Sequence, residues 1–137
     1  METLFLDTNV VIRYVTNDDP GMAQRSRDLL KQAELGSLAL IVSESVVVEV
    51  VQVLSSPKLY NLPRERVAQT VSAILGLRGL KTLGKQTLLR ALDLWATASV
   101  DFVDALSVAQ MERQKIGTIA SFDRDFDRFP RITRREP

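Results

Sequence analysis

The sequence predicts an α/β fold in which helices cover both faces of a parallel sheet. Short apolar segments that suit strands alternate with longer segments whose apolar residues recur at helical spacing. One short segment, Leu38–Val42, is apolar at every position, as expected of a strand that is buried on both faces. Sheets of this kind bind ligands beyond the carboxyl ends of their strands. The residues that follow each strand are therefore the first candidates for a functional site.

The first part of the chain alternates strands and helices. The predicted elements are a strand at Thr3–Leu6, a short helix from about Val10 to the turn Asn17–Pro20, a polar helix to about Leu35, a strand at Leu38–Val42 and a helix at Ser43–Ser56. The residues expected on the buried face of the polar helix are Met22, Leu29, Leu30 and Ala33.

The segment Ser43–Ser56 is ambiguous, because its many valines favour a strand. Its polar side chains decide for a helix, since intervals of four, three and four place them on one stripe: Ser45, Glu49, Gln52 and Ser56. We therefore predict a buried helix at this position.

The second part of the chain continues the alternation. The predicted elements are a loop at Pro57–Pro63, a helix from Pro63 to Gly76, a short strand at Leu80–Leu83, a helix from Lys85, a helix from about Phe102 to Lys115 that Gly117 ends, and a strand at Thr118–Phe122. The helix from Lys85 presents Leu88, Leu92 and Trp95 on one face, and the next helix presents Phe102, Leu106 and Ala109.

The length and composition fit a single domain that spans residues 1–137. Hydrophobic residues make up 45% of the chain and charged residues 26%, as in an ordinary soluble protein. No apolar run approaches the length of a membrane span, and the first residues do not form a signal-peptide pattern. We therefore expect a cytoplasmic protein with no membrane association.

The absence of cysteine and histidine narrows the possible chemistry. Without them the chain cannot supply a thiolate nucleophile, an imidazole base or an ordinary zinc site. An enzymatic reaction would have to depend on carboxylates, hydroxyl groups, lysine or a bound hard metal ion. Ligand sets made only of oxygen suit Mg²⁺ or Mn²⁺.

The net charge of +1 does not by itself indicate a nucleic-acid partner. Basic residues are nevertheless concentrated near the C-terminal end and on the early polar helix: Arg124, Arg128, Arg131, Arg134 and Arg135, then Arg25, Arg27 and Lys31. Solvated surface charge is the ordinary explanation, and contacts to phosphate groups are the functional one.

Four acids occupy positions that a structural role does not fully explain, while a fifth, Asp101, is well explained as a helix N-cap. Asp7 follows the first strand and Asp123 follows the last, although either would also serve as a cap or turn residue. Glu49 lies inside an apolar helix, where an ionised carboxylate is costly unless a salt bridge or another partner compensates. Asp101 and Asp104 suit the N-cap and first turn of their helix. If these acids converge on one crevice, they would hold a divalent metal ion that activates water for attack on phosphate.

The alternating acids Asp123, Asp125 and Asp127 superficially resemble a calcium-binding loop, but they fail its requirements. Counted from Asp123, the sixth residue is Arg128 where such a loop needs glycine, and the twelfth is Arg134 where it needs glutamate. We therefore interpret most of this segment as a solvated loop.

The order of these motifs resembles the PIN-domain ribonucleases, and within them the VapC-like toxins of toxin–antitoxin pairs. The resemblance rests on Asp7-Thr8-Asn9 after a strand, on the glutamate in SESVVVEVVQVL, and on the segments DFVDALSVAQ and SFDRDF, and it covers nearly the whole chain. It implies a three-layer α/β/α fold with a central parallel sheet.

The resemblance also implies a site and a reaction. Its acidic quartet would fall on Asp7, Glu49, Asp104 and Asp123, with Asp101 and Asp125 as accessory residues, and would hold one or two Mg²⁺ or Mn²⁺ ions for hydrolysis of RNA. The residues that would position water, ligands or phosphate are Thr8, Asn9 and Ser121. Ser121 stands where the family usually has threonine, so the hydroxyl group is retained.

The partners implied by the resemblance are an RNA substrate, a second copy of the chain in a homodimer, and a small antitoxin protein that masks the site. The apolar loop Leu59–Leu62 lies between two prolines and would either mediate assembly or simply cover the core.

Two alternatives share parts of this pattern. A phosphatase like the haloacid dehalogenases also has an aspartate after its first strand and uses Mg²⁺, but it needs a second aspartate where this chain has Asn9. A receiver-like signalling domain has paired acids after the first strand, whereas Asp18-Asp19 follows the first helix here.

Overall fold

A computed structural model describes every residue of the chain, from Met1 to Pro137. The residues form two compact units, Met1–Lys85 and Gln86–Pro137. None of the helices is both long enough and apolar enough to cross a membrane.

The first unit is built on three parallel strands. Its elements are β1 (Glu2–Phe5), α1 (Thr8–Val15), α2 (Pro20–Glu34), β2 (Leu38–Ile41), α3 (Glu44–Ser55), α4 (Arg64–Leu75) and β3 (Leu80–Lys81). The strand order is β1-β2-β3, with Glu2 opposite Leu38 and Leu40 opposite Leu80. The predicted alternation and parallel pairing are confirmed in this unit, and most element boundaries differ from the predicted ones by one or two residues.

The segment 43–56 is a helix, as the spacing of its polar residues predicts. The Ser43 hydroxyl caps α3 by accepting a hydrogen bond from the backbone N–H of Val46 at 3.2 Å. The side chains that α3 buries are Val47, Val50, Val51 and Leu54. Helical periodicity therefore outweighs the strand propensity of valine, because this stripe packs into the core.

Helix α2 buries Leu30 and Ala33 as predicted, but the first half of its buried face differs from the predicted one. Its buried residues are Ala23, Ser26, Leu30 and Ala33, whereas Met22 is 44% exposed and Leu29 is half-buried. Because α1 packs directly against α2, small side chains at positions 23 and 26 allow the two helices to approach closely. The prediction of Met22 as a core residue is wrong for this reason.

Gly79 permits the close approach of the turn before β3 to the end of α2. The residue has a φ of +83°, and a Cβ atom placed on it would lie 2.2 Å from the carbonyl oxygen of Ala33. Its own carbonyl oxygen accepts a hydrogen bond from the backbone N–H of Leu40 at 2.8 Å, next to the β2–β3 pairing. Only glycine meets both the conformational and the steric requirement here.

The second unit contains two helices and a small parallel sheet. Its elements are α5 (Lys85–Thr97), which begins at the last residue of the first unit, α6 (Phe102–Gln114), β4 (Thr118–Ala120), a 3₁₀ helix (Arg124–Arg128) and β5 (Thr133–Arg135). Trp95 of α5 meets Phe102 of α6 edge to face, with ring centroids 6.0 Å apart. As predicted, the buried residues of these two helices include Leu88, Leu92, Trp95, Phe102, Leu106 and Ala109.

Strand β5 was not predicted, and it pairs with β4 in parallel, with Thr118 opposite Thr133. Its sequence is Thr-Arg-Arg, which lacks the apolar alternation of a half-buried strand. The strand is defined by backbone pairing, including the 2.8 Å hydrogen bond from the Thr133 N–H to the Gly117 carbonyl oxygen.

Candidate active site

Asp7 lies just beyond the carboxyl end of β1, as predicted, with one residue, Leu6, between it and the last strand residue, Phe5. It occupies the N-cap position of α1, but its side chain accepts no capping hydrogen bond and is exposed. Its carboxylate is therefore not engaged in the structural role that would explain an aspartate at this position.

The buried hydroxyl of Thr8 holds the carboxylate of Glu49. Thr8 is 7% exposed, and its Oγ1 donates a hydrogen bond to Oε2 of Glu49 at 2.8 Å. This bond joins the start of α1 to the middle of α3 within the first unit. Thr8 is one of the predicted positioning residues, but the sequence does not indicate that Glu49 is its partner.

Glu49 itself is exposed, so the expectation of a carboxylate buried among valines is wrong. Helix α3 buries the stripe that contains Val50 and Val51, and Glu49 lies outside that stripe. No lysine or arginine forms a salt bridge with Glu49, which leaves its second carboxylate oxygen available for a ligand.

Three carboxylates converge in the second unit. One oxygen from each of Asp104, Asp123 and Asp125 lies within 4.8 Å of the other two. Asp104 is half-buried in the first turn of α6, while Asp123 follows β4 and begins the 3₁₀ helix. We call these three residues the acidic cluster.

Local hydrogen bonds fix the backbone around Asp123. The Ser121 hydroxyl accepts a bond from the Asp123 N–H at 3.0 Å, and the Asp123 carboxylate accepts one from the Asp125 N–H at 2.9 Å. These bonds turn the chain so that Asp123 and Asp125, two positions apart, both contribute an oxygen to the cluster. Ser121 therefore fixes the backbone of Asp123 and does not itself contribute an oxygen to the acidic cluster.

The cluster is electrostatically unfavourable by itself. Partial burial raises the pKa of Asp104, and the negative charges of Asp123, Asp101 and Asp125 raise it further. Asp101 is the N-cap residue of α6, but its exposed side chain makes no capping bond. A cation would relieve this repulsion. Arg128 relieves a part of it, because its guanidinium group lies 3.6 Å from the carboxylate of Asp125.

The donor set fits a hard divalent ion. All ligand atoms of the cluster are carboxylate oxygens, the type that Mg²⁺ and Mn²⁺ prefer. Their separation of up to 4.8 Å is close to the roughly 4.2 Å between opposite ligands of an octahedral Mg²⁺ ion. Asp104, Asp123 and Asp125 would thus hold such an ion after a small adjustment.

A model of the PIN domain family matches residues 4–132. The chain belongs to the PIN domain family. This membership confirms the predicted PIN-like three-layer α/β/α fold class with parallel strands, and it does not favour the phosphatase-like or receiver-like alternatives. PIN-domain proteins are ribonucleases.

Two solved structures are similar to this PIN domain. One is VapC20 from Mycobacterium tuberculosis, described as a toxin that cleaves the sarcin–ricin loop, with 20% identity, coverage of 91% of this chain and 93% of that one, and a TM-score of 0.39. The other is VapBC2 from Rickettsia felis bound to a promoter DNA fragment, with 13% identity, coverage of 99% and 98%, and a TM-score of 0.37. Both TM-scores are below 0.5, so neither similarity establishes anything about the activity of this chain. None of the curated proteins matches it.

Other predicted site residues of this PIN domain have less defined surroundings. Asn9 is exposed and lines a cavity of about 270 Å³ between α1 and α2. Arg134 is one of the C-terminal arginines that could contact phosphate, but its side chain is 13% exposed and forms ion pairs with Asp127 and Glu136. Its role in the second unit is therefore structural.

Asp125 is a member of the acidic cluster, although the family resemblance implies only an accessory role for it. The sequence feature that could have indicated this role is its spacing, since Asp125 lies two residues after Asp123 in a segment without strand or helix periodicity. A tight 3₁₀ turn directs both carboxylates to one side, and this turn was not predicted.

Proposed function

We propose that this PIN domain is a metal-dependent endoribonuclease and the toxin of a toxin–antitoxin pair. The observation that carries the proposal is the acidic cluster, in which three carboxylates come together and the pKa of Asp104 is raised. Clusters of this composition bind Mg²⁺ or Mn²⁺, and the family membership supplies the class of reaction.

In this proposal Asp104 and Asp123 bind the metal with help from Asp125. Through the family resemblance, metal binding and catalysis extend to Asp7 and Glu49, which complete the quartet. We propose that residues 1–137 act as one nuclease domain, which the match across residues 4–132 supports.

Each remaining residue of the proposed site has a defined task. Thr8 holds Glu49 in one orientation, and Ser121 fixes the backbone at Asp123. Asn9 and Asp101 are exposed side chains that would orient water or a phosphate oxygen. When bound, the metal ion lowers the pKa of a coordinated water and neutralises charge on the phosphate group.

The decisive experiment is cleavage of a panel of structured RNAs with Mg²⁺, with Mn²⁺ and with excess EDTA. Four variants test the quartet: Asp7→Asn, Glu49→Gln, Asp104→Asn and Asp123→Asn. We expect each to lower turnover by orders of magnitude while circular dichroism shows a retained fold. Asp93→Asn, an exposed aspartate of α5, is the matched control and should cleave like the wild type. Undiminished cleavage in EDTA would contradict the metal mechanism.

We further propose a homodimer, a small protein antitoxin and a cytoplasmic site of action, all from the family resemblance. Leu59 in the loop Leu59–Leu62 is 62% exposed, which makes the loop a candidate contact surface. A strictly monomeric protein at micromolar concentration that is harmless when expressed alone would count against these partners.

A further inference from the structure

A second concave surface of the second unit lies at the other end of α6 from the acidic cluster. It encloses a cavity of about 430 Å³, and six of its residues define what we call the basic groove: Arg90, Glu112, Lys115, Ile116, Arg131 and Ile132. Glu112 follows Asp104 by eight residues, which is roughly 12 Å along a helix axis. Likewise, residues 117 and 132 immediately precede β4 and β5, whereas Asp123 follows the carboxyl end of β4. Within the second unit, the groove is thus separate from the acidic cluster.

The groove carries a net charge of +2, because it contains Arg90, Lys115 and Arg131 but only one acid, Glu112. Arg90 binds Glu112 through two hydrogen bonds, of 2.9 Å from Nε and 3.2 Å from Nη2, so these two charges cancel. Lys115 and Arg131 are exposed and form no salt bridge. Arg90, followed by Arg131, holds the pKa of Glu112 below its usual value, so Glu112 remains an ionised partner of Arg90.

The backbone at Lys115 is in an unusual conformation for lysine. Lys115 ends α6 with φ 59° and ψ 41°, the left-handed conformation that glycine or asparagine adopts at lower cost. A lysine within the last helical turn would interact with the helix dipole equally well without this strain. The position therefore keeps a cationic side chain in the groove at a conformational cost.

The chemistry of the groove fits one nucleotide unit of a single strand. Guanidinium and ammonium groups bind phosphate oxygens, and Ile116, which is 51% exposed, offers an apolar surface for a sugar or base. The cavity volume is within the roughly 300–1,000 Å³ of ordinary ligand sites. We propose that the basic groove binds a phosphodiester group of single-stranded RNA away from the cleavage site. The identity of the ligand rests on the proposed ribonuclease function.

Such a remote contact has a physical purpose. The acidic cluster repels an RNA phosphate until a metal ion is bound, so the substrate needs binding energy from cations elsewhere. Lys115 and Arg131 would provide it without neutralising the carboxylates that bind the metal.

Binding can be separated from cleavage in the full chain carrying Asp104→Asn, in EDTA. The probe is a fluorescein-labelled twelve-nucleotide oligouridylate, and its Kd is measured by anisotropy between about 50 and 300 mM KCl. We expect the pair Lys115→Ala and Arg131→Ala to weaken binding severalfold and to reduce the slope of log K against log salt by about 1.4, or about 0.7 per lost phosphate contact. Arg131→Lys, which keeps the charge, should retain most of the slope.

The matched control removes two exposed cations from the first unit, Lys58→Ala and Arg66→Ala. If this control reduces affinity and slope as much as the groove pair does, the groove is not a site and the proposal is wrong. An oligoglutamate of equal charge that competes as well as the RNA would also overturn it.

A separate assay distinguishes failure of this proposal from failure of the proposed function. If the wild type cleaves RNA in a metal-dependent way but the groove pair binds like the control, only the groove proposal fails. If the groove pair weakens binding but the wild type never cleaves, the ribonuclease proposal fails. In cleaving protein, the groove pair should raise KM by a larger factor than it lowers kcat.

Discussion

The carboxyl group of Asp104 is half-buried beside two other acids, and burial followed by their negative charges raises its pKa. At a pH below the ordinary value of 3.8 the group is neutral in both the folded and the unfolded chain, so it has no effect on stability. As the pH rises through 3.8 and then through the raised pKa, the unfolded chain ionises first. Ionised Asp104 therefore opposes folding at neutral pH.

Asp104→Asn should consequently raise the metal-free melting temperature at neutral pH while it abolishes cleavage. At a separation of about 5 Å and a dielectric constant near 20, one pair of carboxylates costs roughly 3 kcal/mol as an upper estimate. The helix-dipole interaction that Asp104 would lose is worth only about 0.3–1 kcal/mol. A net increase of roughly 1 kcal/mol in the free energy of unfolding corresponds to a rise of about 2–6 °C in the melting temperature.

Melting curves in EDTA at neutral pH and near pH 3 check this expectation. The difference between the variant and the wild type should shrink at the lower pH, where Asp104 is protonated. An Asp104→Asn variant that melts at the same or a lower neutral-pH temperature would mean that Asp104 is only a helix-start residue.

The bond between Thr8 and Glu49 has a testable role in positioning the carboxylate. Thr8→Val keeps the shape of the side chain and removes the donor, so Glu49 loses its orientation. We expect metal-dependent activity to fall by about 10–100-fold, with a higher metal concentration needed for half-maximal activity. Thr8→Ser restores the hydroxyl and should recover most of both quantities. A fall in activity with an unchanged metal requirement would show that the bond matters only for folding.

At the scale of elements, the turn before β3 depends on one glycine. Gly79→Ala would combine a positive φ with contacts of 2.2 Å to the Ala33 carbonyl oxygen and 2.7 Å to its carbon. Gly36 has the same φ of +83°, but nothing lies within 4 Å of a Cβ atom placed there. The two positions therefore separate backbone strain from steric overlap.

We expect Gly36→Ala to cost about 1–2 kcal/mol from strain alone and Gly79→Ala clearly more, because α2 and β3 must also move apart. Urea unfolding of both variants measures the difference. Equal losses of stability would mean that the end of α2 shifts without cost.

At the scale of the whole molecule, the proposed metal site links ligand binding to stability. A metal ion that binds only the folded protein stabilises it by mass action, by about 2.7 kcal/mol at a concentration of 100 times its Kd. Part of this stabilisation comes from Asp104, because a bound cation relieves the repulsion between its ionised carboxylate and the neighbouring acids.

Mn²⁺ or Mg²⁺ should therefore raise the melting temperature of the wild type relative to EDTA. The rise should be much smaller for Asp104→Asn and for Asp123→Asn, whereas the control Asp93→Asn should respond like the wild type. Differential scanning fluorimetry across a metal titration measures these shifts. Equal shifts in all four proteins would place the ion away from the acidic cluster.

Local sequence patterns determined much of this protein. The alternation of apolar segments predicts parallel strands, the spacing of four polar residues predicts α3, and the positions of Asp7 and Asp123 after strands follow from the same reading. These features depend on the period of the chain and on neighbours within a few residues, so sequence alone contains them. The absence of cysteine and histidine likewise limits the chemistry whatever the fold.

Only the tertiary structure decided which side chains meet. Thr8 and Glu49 are 41 residues apart in sequence, the partner of β5 is β4, and Asp125 joins Asp104 only after the 3₁₀ helix turns the chain. Contacts between distant segments are set by how faces pack against one another, and a pattern of residue types does not specify that packing.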